Sequence, residues 1–244
     1  MSFDQALSFQ RRDLDLYLKE LAKEYRRLAG RKMPAEIVLI GGAAIVSGYG
    51  FRNTTTDIDA LIHAASSMKD AIIHVGDRFS LPPGWLNSDF TRTNSYTDRI
   101  VRFSRFYKSF YQVLSVRILT GEYLIAMKLR SFRHYKNDIS DIVGILAEHT
   151  DRREPISFAM IDRAVRDLYD SWDDFPAGAR PFLDDIFRNG EFSALYEKVR
   201  ENERAARTDL LTLQDSYSDL FQTADPETVL RTLRAKKVTK SVKK

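Results

Sequence analysis

Thirteen residues, GFRNTTTDIDALI at 50–62, constrain this chain more than any others, because they lie just downstream of EIVLIGGAAIVSG at 36–48. Asp57 and Asp59 stand one residue apart in a run that otherwise reads as a buried strand. An ionised carboxylate is costly to bury unless something pairs with it. Side chains alternate faces along a strand, so the two aspartates point one way while Ile58 points to the core. They lie about 7 Å apart along the backbone. Such a pair requires a cation, basic partners or water.

The run before it sets the context. EIVLI at 36–40 is short, apolar and β-branched, which predicts a buried strand. Gly41 and Gly42 follow at once, and AAIVSGYG predicts a short helix closed by Gly48 or Gly50. Glycines between a strand and a helix let a phosphate approach backbone N–H groups, and the helix N-terminus favours an anion. Mg²⁺ takes a couple of carboxylates and completes its shell with phosphate oxygens and water. The pieces together describe a clamp for a metal-bound triphosphate. Two competing readings stand: a tight strand-to-helix turn for the glycines, and a solvated strand end for the aspartates.

The rest of the 244 residues supplies the frame. Residues 4–29 carry Leu7, Leu14, Tyr17, Leu18, Leu21 and Tyr25 at helical steps, ended by Gly30 and Pro34. SSMKDAIIHVGDRF predicts a helix, LPPGWLNSD a loop, and 99–106 and 111–118 two more strands. GEYLIAMKLRSFRHY and NDISDIVGILAEH predict helices, as does everything after Pro155 between polar breaks. The class is α+β, a small mixed sheet flanked by helices and followed by a helical C-terminal half. The expected domains are a core with its N-terminal helix at 1–150, a helical domain at 151–225 and a basic tail at 226–244.

Charge and composition exclude several classes. There are no cysteines, so disulfides and thiolate metal sites are ruled out. No apolar run approaches the roughly 20 residues of a membrane span. The first twenty residues lack a basic-then-apolar leader, so a cytoplasmic protein is expected. Net charge is +4, but Thr228–Lys244 holds seven basic residues and no acidic one, which leaves the body at 4 − 7 = −3. The tail reads either as a solvated run or as a nucleic-acid or partner contact. Residues 92–117 interleave arginines with tyrosines and phenylalanines, which suits either single-stranded RNA or a half-buried strand pair. Thr54, Thr55 and Thr56 either bond phosphate or shape the turn, and Arg52, alone in its loop, either reaches a phosphate or is solvated, the latter being the usual state of such a residue.

GGAAIVSGYGFRNTTTDIDALI resembles the signature of the nucleotidyltransferase superfamily with the DNA polymerase β-like minimal fold. With Thr55 two residues before the first aspartate, it is similar to the AbiEii/MenT-type toxins and uncharacterised bacterial relatives. LIAMKLRSFRHYKNDISDIVGIL at 124–146 resembles that group's downstream motif. The resemblance covers about residues 36–147. It implies an NTP substrate held by Gly41, Gly42 and Thr55, with Mg²⁺ (or Mn²⁺) on Asp57 and Asp59. It further implies Lys128 on the phosphates, with Asp138 and Asp141 completing the polar site. A tRNA or other RNA acceptor, a toxin role and a cognate antitoxin protein are implied with them. Three residues carry rival roles: Lys128 can turn its ammonium outward along an apolar helix, and Asn137 or Asp138 can cap the helix that begins there, with Asp141 in its first turn. One departure is plain, since the expected later strands hold no Asp or Glu, and Asp98 only precedes the first. A non-catalytic NTP-binding or partner-binding module, or a small-molecule nucleotidyltransferase, is the alternative.

Overall fold

A computed structural model describes residues 8–216, with side chains to 212. The basic tail lies outside the described residues.

The apolar periodicity of the first long segment becomes helix α1 (Arg11–Ala29), preceded by a two-residue strand β1 (Phe9–Gln10). Leu14, Leu18, Leu21, Ala22 and Tyr25 form its buried stripe. Its C-terminal turn ends at Gly30, whose φ of 87° suits a residue without a Cβ. Strand β2 (Ala35–Leu39) follows and is buried on both faces, which is why it reads as a continuous apolar run. Next come helix α2 (Gly41–Gly48), strands β3 (Thr54–Thr55) and β4 (Ile58–His63), and helix α3 (Ser67–Phe79). Strand β5 (Leu86–Asn87) lies inside the segment expected to be a loop. Residues 98–103 form a 3₁₀ helix rather than a strand, and the hairpin is β6 (Ser104–Phe110) and β7 (Leu114–Leu119). Helices α4 (Gly121–Ser131), α5 (Asp138–Asp151), α6 (Phe158–Tyr169), α7 (Ala179–Asn189) and α8 (Phe192–Ser216) complete the order.

The main sheet has five strands in the order β5-β4-β2-β7-β6. β2 pairs antiparallel with β4 and parallel with β7, so the sheet is mixed and the class is α+β. The antiparallel register sets Leu39 opposite Ala60. The end of β2 and the start of β4 therefore lie side by side. This places Gly41 next to Asp59 by topology alone. β1 and β3 form a separate two-stranded sheet, with Phe9 opposite Thr55.

The chain divides into two compact units. Of the described residues, one holds those to Met127 together with Glu148–Asp174, and the other holds Lys128–Ala147 and those from Phe175 onward. The first contains the sheet and α1–α3. There α6 is fastened by Tyr123, whose hydroxyl donates to Asp167 at 2.7 Å, and by Tyr169, which donates to the Ser95 carbonyl at 2.7 Å. In the second unit Phe132 packs on Phe182 with ring centroids 5.5 Å apart, and Tyr135 lies against Ala206 and Leu210. Among the described residues, no helix is long and apolar enough to cross a membrane.

Candidate functional site

Gly41 opens α2 with φ +55°, a conformation that L side chains rarely adopt. A Cβ built there would lie 3.5 Å from Asp59 Oδ2, so the carboxylate rests directly beside the turn. Gly42 is tighter. A Cβ on it would sit 2.4 Å from Thr55 Oγ1 and 2.9 Å from Arg52 Nη2. The turn is thus walled by a carboxylate on one side and by a hydroxyl and a guanidinium on the other. No side chain caps α2, and the backbone N–H groups of its first turn belong to the two glycines and Ala43. That is the arrangement in which a helix start receives an anion.

The two aspartates are not equivalent. β4 begins at Ile58, one residue later than the sequence suggested, so Asp57 is an exposed residue of the bend before it. Asp59 lies within the strand and is half-buried, while Ile58 is fully buried as alternation required. Thr55 is buried, and its hydroxyl donates to the Asp57 carbonyl at 3.2 Å. It shapes the bend and seals the face of Gly42.

Two residues near this turn were not settled by the sequence. Arg52, read either as a phosphate contact or as a solvated loop residue, is half-buried, with its Nε donating to the Thr54 carbonyl at 3.0 Å and Nη2 over Gly42. Its position in the turn between the helix and the Asp-x-Asp strand was the available signal. The second is Asn87. The strand beside β4 is β5, in parallel register, with Asn87 opposite Asp59. Paired residues of parallel strands share a face, so an amide stands where the sequence search for a further carboxylate never looked. Asp89, two residues on, is exposed, and its N–H donates to Asn87 Oδ1 at 2.8 Å. The loop leading to the bend is pinned from α5, where Glu148 Oε2 accepts from the N–H groups of Gly50 at 2.8 Å and Phe51 at 3.2 Å.

Among the described residues, no group of three or more His, Asp or Glu side chains is arranged to hold a metal ion. Asp59 brings one carboxylate to the turn, and Asp57 stands two residues before it in the bend. Mg²⁺ commonly takes one or two, with water and substrate phosphate in its remaining positions. The donor set fits a metal that arrives with an NTP.

The second half of the expected site comes together in the other unit. Lys128 Nζ lies 2.9 Å from Asp138 Oδ1 and 2.9 Å from Asp141 Oδ2. Arg133 Nε donates to Asp138 Oδ2 at 2.8 Å. Burial opposes ionisation of Asp138, but Lys128 and Arg133 outweigh it and hold the carboxyl well below its usual range. Asp138 therefore does not cap α5. Glu203 of α8 takes that role, accepting from the N–H groups of Ile139 at 2.9 Å and Ser140 at 3.1 Å. Burial pushes the Glu203 carboxyl up to about 7, against those hydrogen bonds and with the nearby Asp141 charge adding to the rise. Among the described residues its Oε2 is buried without a hydrogen-bond partner.

Residues 17–172 match the model of a family described as a nucleotidyltransferase of unknown function (DUF6036). No curated relative and no solved structure matches the chain.

Proposed function

The chain belongs to this nucleotidyltransferase family, and we propose from that premise that it transfers a nucleotide from an NTP to an acceptor hydroxyl. The observation that carries the reading is Asp59 Oδ2 set against the Gly41 turn. A carboxylate suited to a metal and a turn suited to phosphate occupy one spot. In this reading, the N–H groups at the start of α2 and the Arg52 guanidinium hold the triphosphate. Asp57 and Asp59 hold Mg²⁺ or Mn²⁺, which when bound neutralises charge on the attacking and leaving oxygens. The acceptor oxygen forms a bond to the α-phosphorus as the bond to pyrophosphate breaks. Lys128, Asp138 and Asp141 are the further polar residues assigned to the reaction by the likeness to AbiEii/MenT-type toxins. The same likeness assigns a tRNA acceptor and a cognate antitoxin partner.

The test is transfer of label from each α-³²P-NTP, with Mg²⁺, onto total RNA and onto protein. The wild type is compared with Asp57→Ala/Asp59→Ala. Label on RNA that vanishes in the variant supports the reading and identifies the base. Label on protein replaces the acceptor. NTP binding without transfer to RNA or protein leaves a small-molecule acceptor or a binding module, the latter favoured by the amide at position 87 and by the two-carboxylate donor set.

A further inference from the structure

A groove of about 310 Å³ opens at the C-terminal end of α1, lined by Lys23, Arg26, Arg27, Gly30, Arg31 and Tyr111. Among the described residues, no acidic one lines it. Arg27 is held by the buried Glu24 at 2.7 Å, and Lys23 lies 3.8 Å from Glu20. Arg26 and Arg31 form no ion pair among the described residues. Cations in a last helical turn complement the helix dipole, which accounts for Arg26 and Arg27 singly. It does not account for Arg31 beyond the helix, or for the tyrosine.

Tyr111 and Gln112 form the tip of the β6–β7 hairpin, with φ +51° and +59°. Two successive positive φ values are the habit of glycine and asparagine in a two-residue hairpin. A tyrosine there is strained, and strain of this kind gathers at functional sites. The strained turn leaves the ring 39% exposed beside the guanidinium groups. The Ala35 N–H donates to the Val113 carbonyl at 2.7 Å, which fixes the hairpin to the exit of α1.

We infer that this groove binds a single-stranded stretch of RNA, with phosphates on Arg26 and Arg31 and a base stacked on Tyr111. Three of the four cations are arginines, whose planar fork matches a phosphate's paired oxygens. An aromatic face suits any base. An acidic protein segment would satisfy the charge but leave the ring without a matching flat partner. The groove lies at the start of β2 and Gly41 lies past its end, so five residues separate them, about 17 Å at 3.3 Å each. The assignment of this strand as the acceptor rests on the transfer reading. The binding itself does not.

The experiment is fluorescence anisotropy of a labelled twelve-nucleotide RNA with the full chain between 50 and 200 mM salt. Each neutralised phosphate contributes about −0.7 to the slope of log K against log salt. Arg26→Gln/Arg31→Gln should flatten that slope by about 1.4. The basic tail contributes equally to every variant and cancels. Tyr111→Asn keeps a residue suited to the turn and should weaken binding about tenfold at an unchanged slope. A chain that binds RNA in this way and transfers nothing loses the transfer reading and keeps the groove. The inference is overturned by absence of RNA binding, or by a slope the double variant does not change. It is equally overturned if polyglutamate competes as well as RNA and Tyr111→Asn has no effect.

Discussion

Glu203 makes the stability of the second unit depend on pH near neutrality, and the size of the effect follows from where its carboxyl sits. Burial raises it from 4.5 to about 7. A folded-state value above the unfolded one means that the protonated form is favoured by folding. The stabilisation is complete below about pH 4.5 and is lost as pH rises through 7. A gap of about 2.5 units corresponds to roughly 3 kcal/mol in total, of which about 2–3 kcal/mol disappears between pH 5 and 8. Asp138, held far below its ordinary value, stays ionised throughout that window and adds no slope. Glu203→Gln keeps an oxygen for the Ile139 and Ser140 N–H groups and removes the titration. Urea unfolding at pH 5 and at pH 8 reads the difference. The wild type should lose about 2–3 kcal/mol more than the variant over that interval. Parallel losses in the two proteins would refute the argument. They would mean that the carboxylate is ionised in the fold at no cost.

Two further outcomes are expected. Gly42→Ala places a methyl 2.4 Å from Thr55 Oγ1, an overpacking that should lower stability by about 1–3 kcal/mol. Thermal unfolding checks it, and Gly42→Ala/Thr55→Ala should recover part of the loss. Lys128→Met removes the cation between two buried carboxylates and should cost about 3–5 kcal/mol. Denaturant titration at pH 7 reads that loss, and Lys128→Met/Asp141→Asn should be less damaged than the single change.

Much of the turn that holds Gly41, Gly42 and Asp59 was legible because it is local. Gly-Gly between an apolar run and a helix is a short-range rule that tertiary contacts did not override, and alternation held from Ile58 onward, with Asp57 left in the bend before the strand. β2 was legible for another reason, since a strand buried on both faces must be apolar throughout. What escaped was set by pairing at a distance. β5 has two residues, too few to show a period, and is defined only by its parallel pairing with β4. The 3₁₀ turn at 98–103 carries the same β-branched and aromatic residues as a strand, so composition pointed the wrong way there. The cap of α5 could not be foreseen from Asn137 or Asp138, because the carboxylate that performs it lies over sixty residues further along. Arg52 was legible as a candidate by its place in the turn, but only the fold back over Gly42 decides between its two readings.

The origin of that cap bears on how the chain can be divided. The stretch shared with the family ends at residue 172, yet α5, inside it, takes its first hydrogen-bond acceptor from α8, outside it. A truncation drawn at the limit of kinship would strand the Ile139 and Ser140 donors and uncover the charged cluster beneath them. Inheritance and cooperativity therefore draw different borders in this chain. A homologue that ends near the corresponding point would have to supply a substitute acceptor from its own sequence.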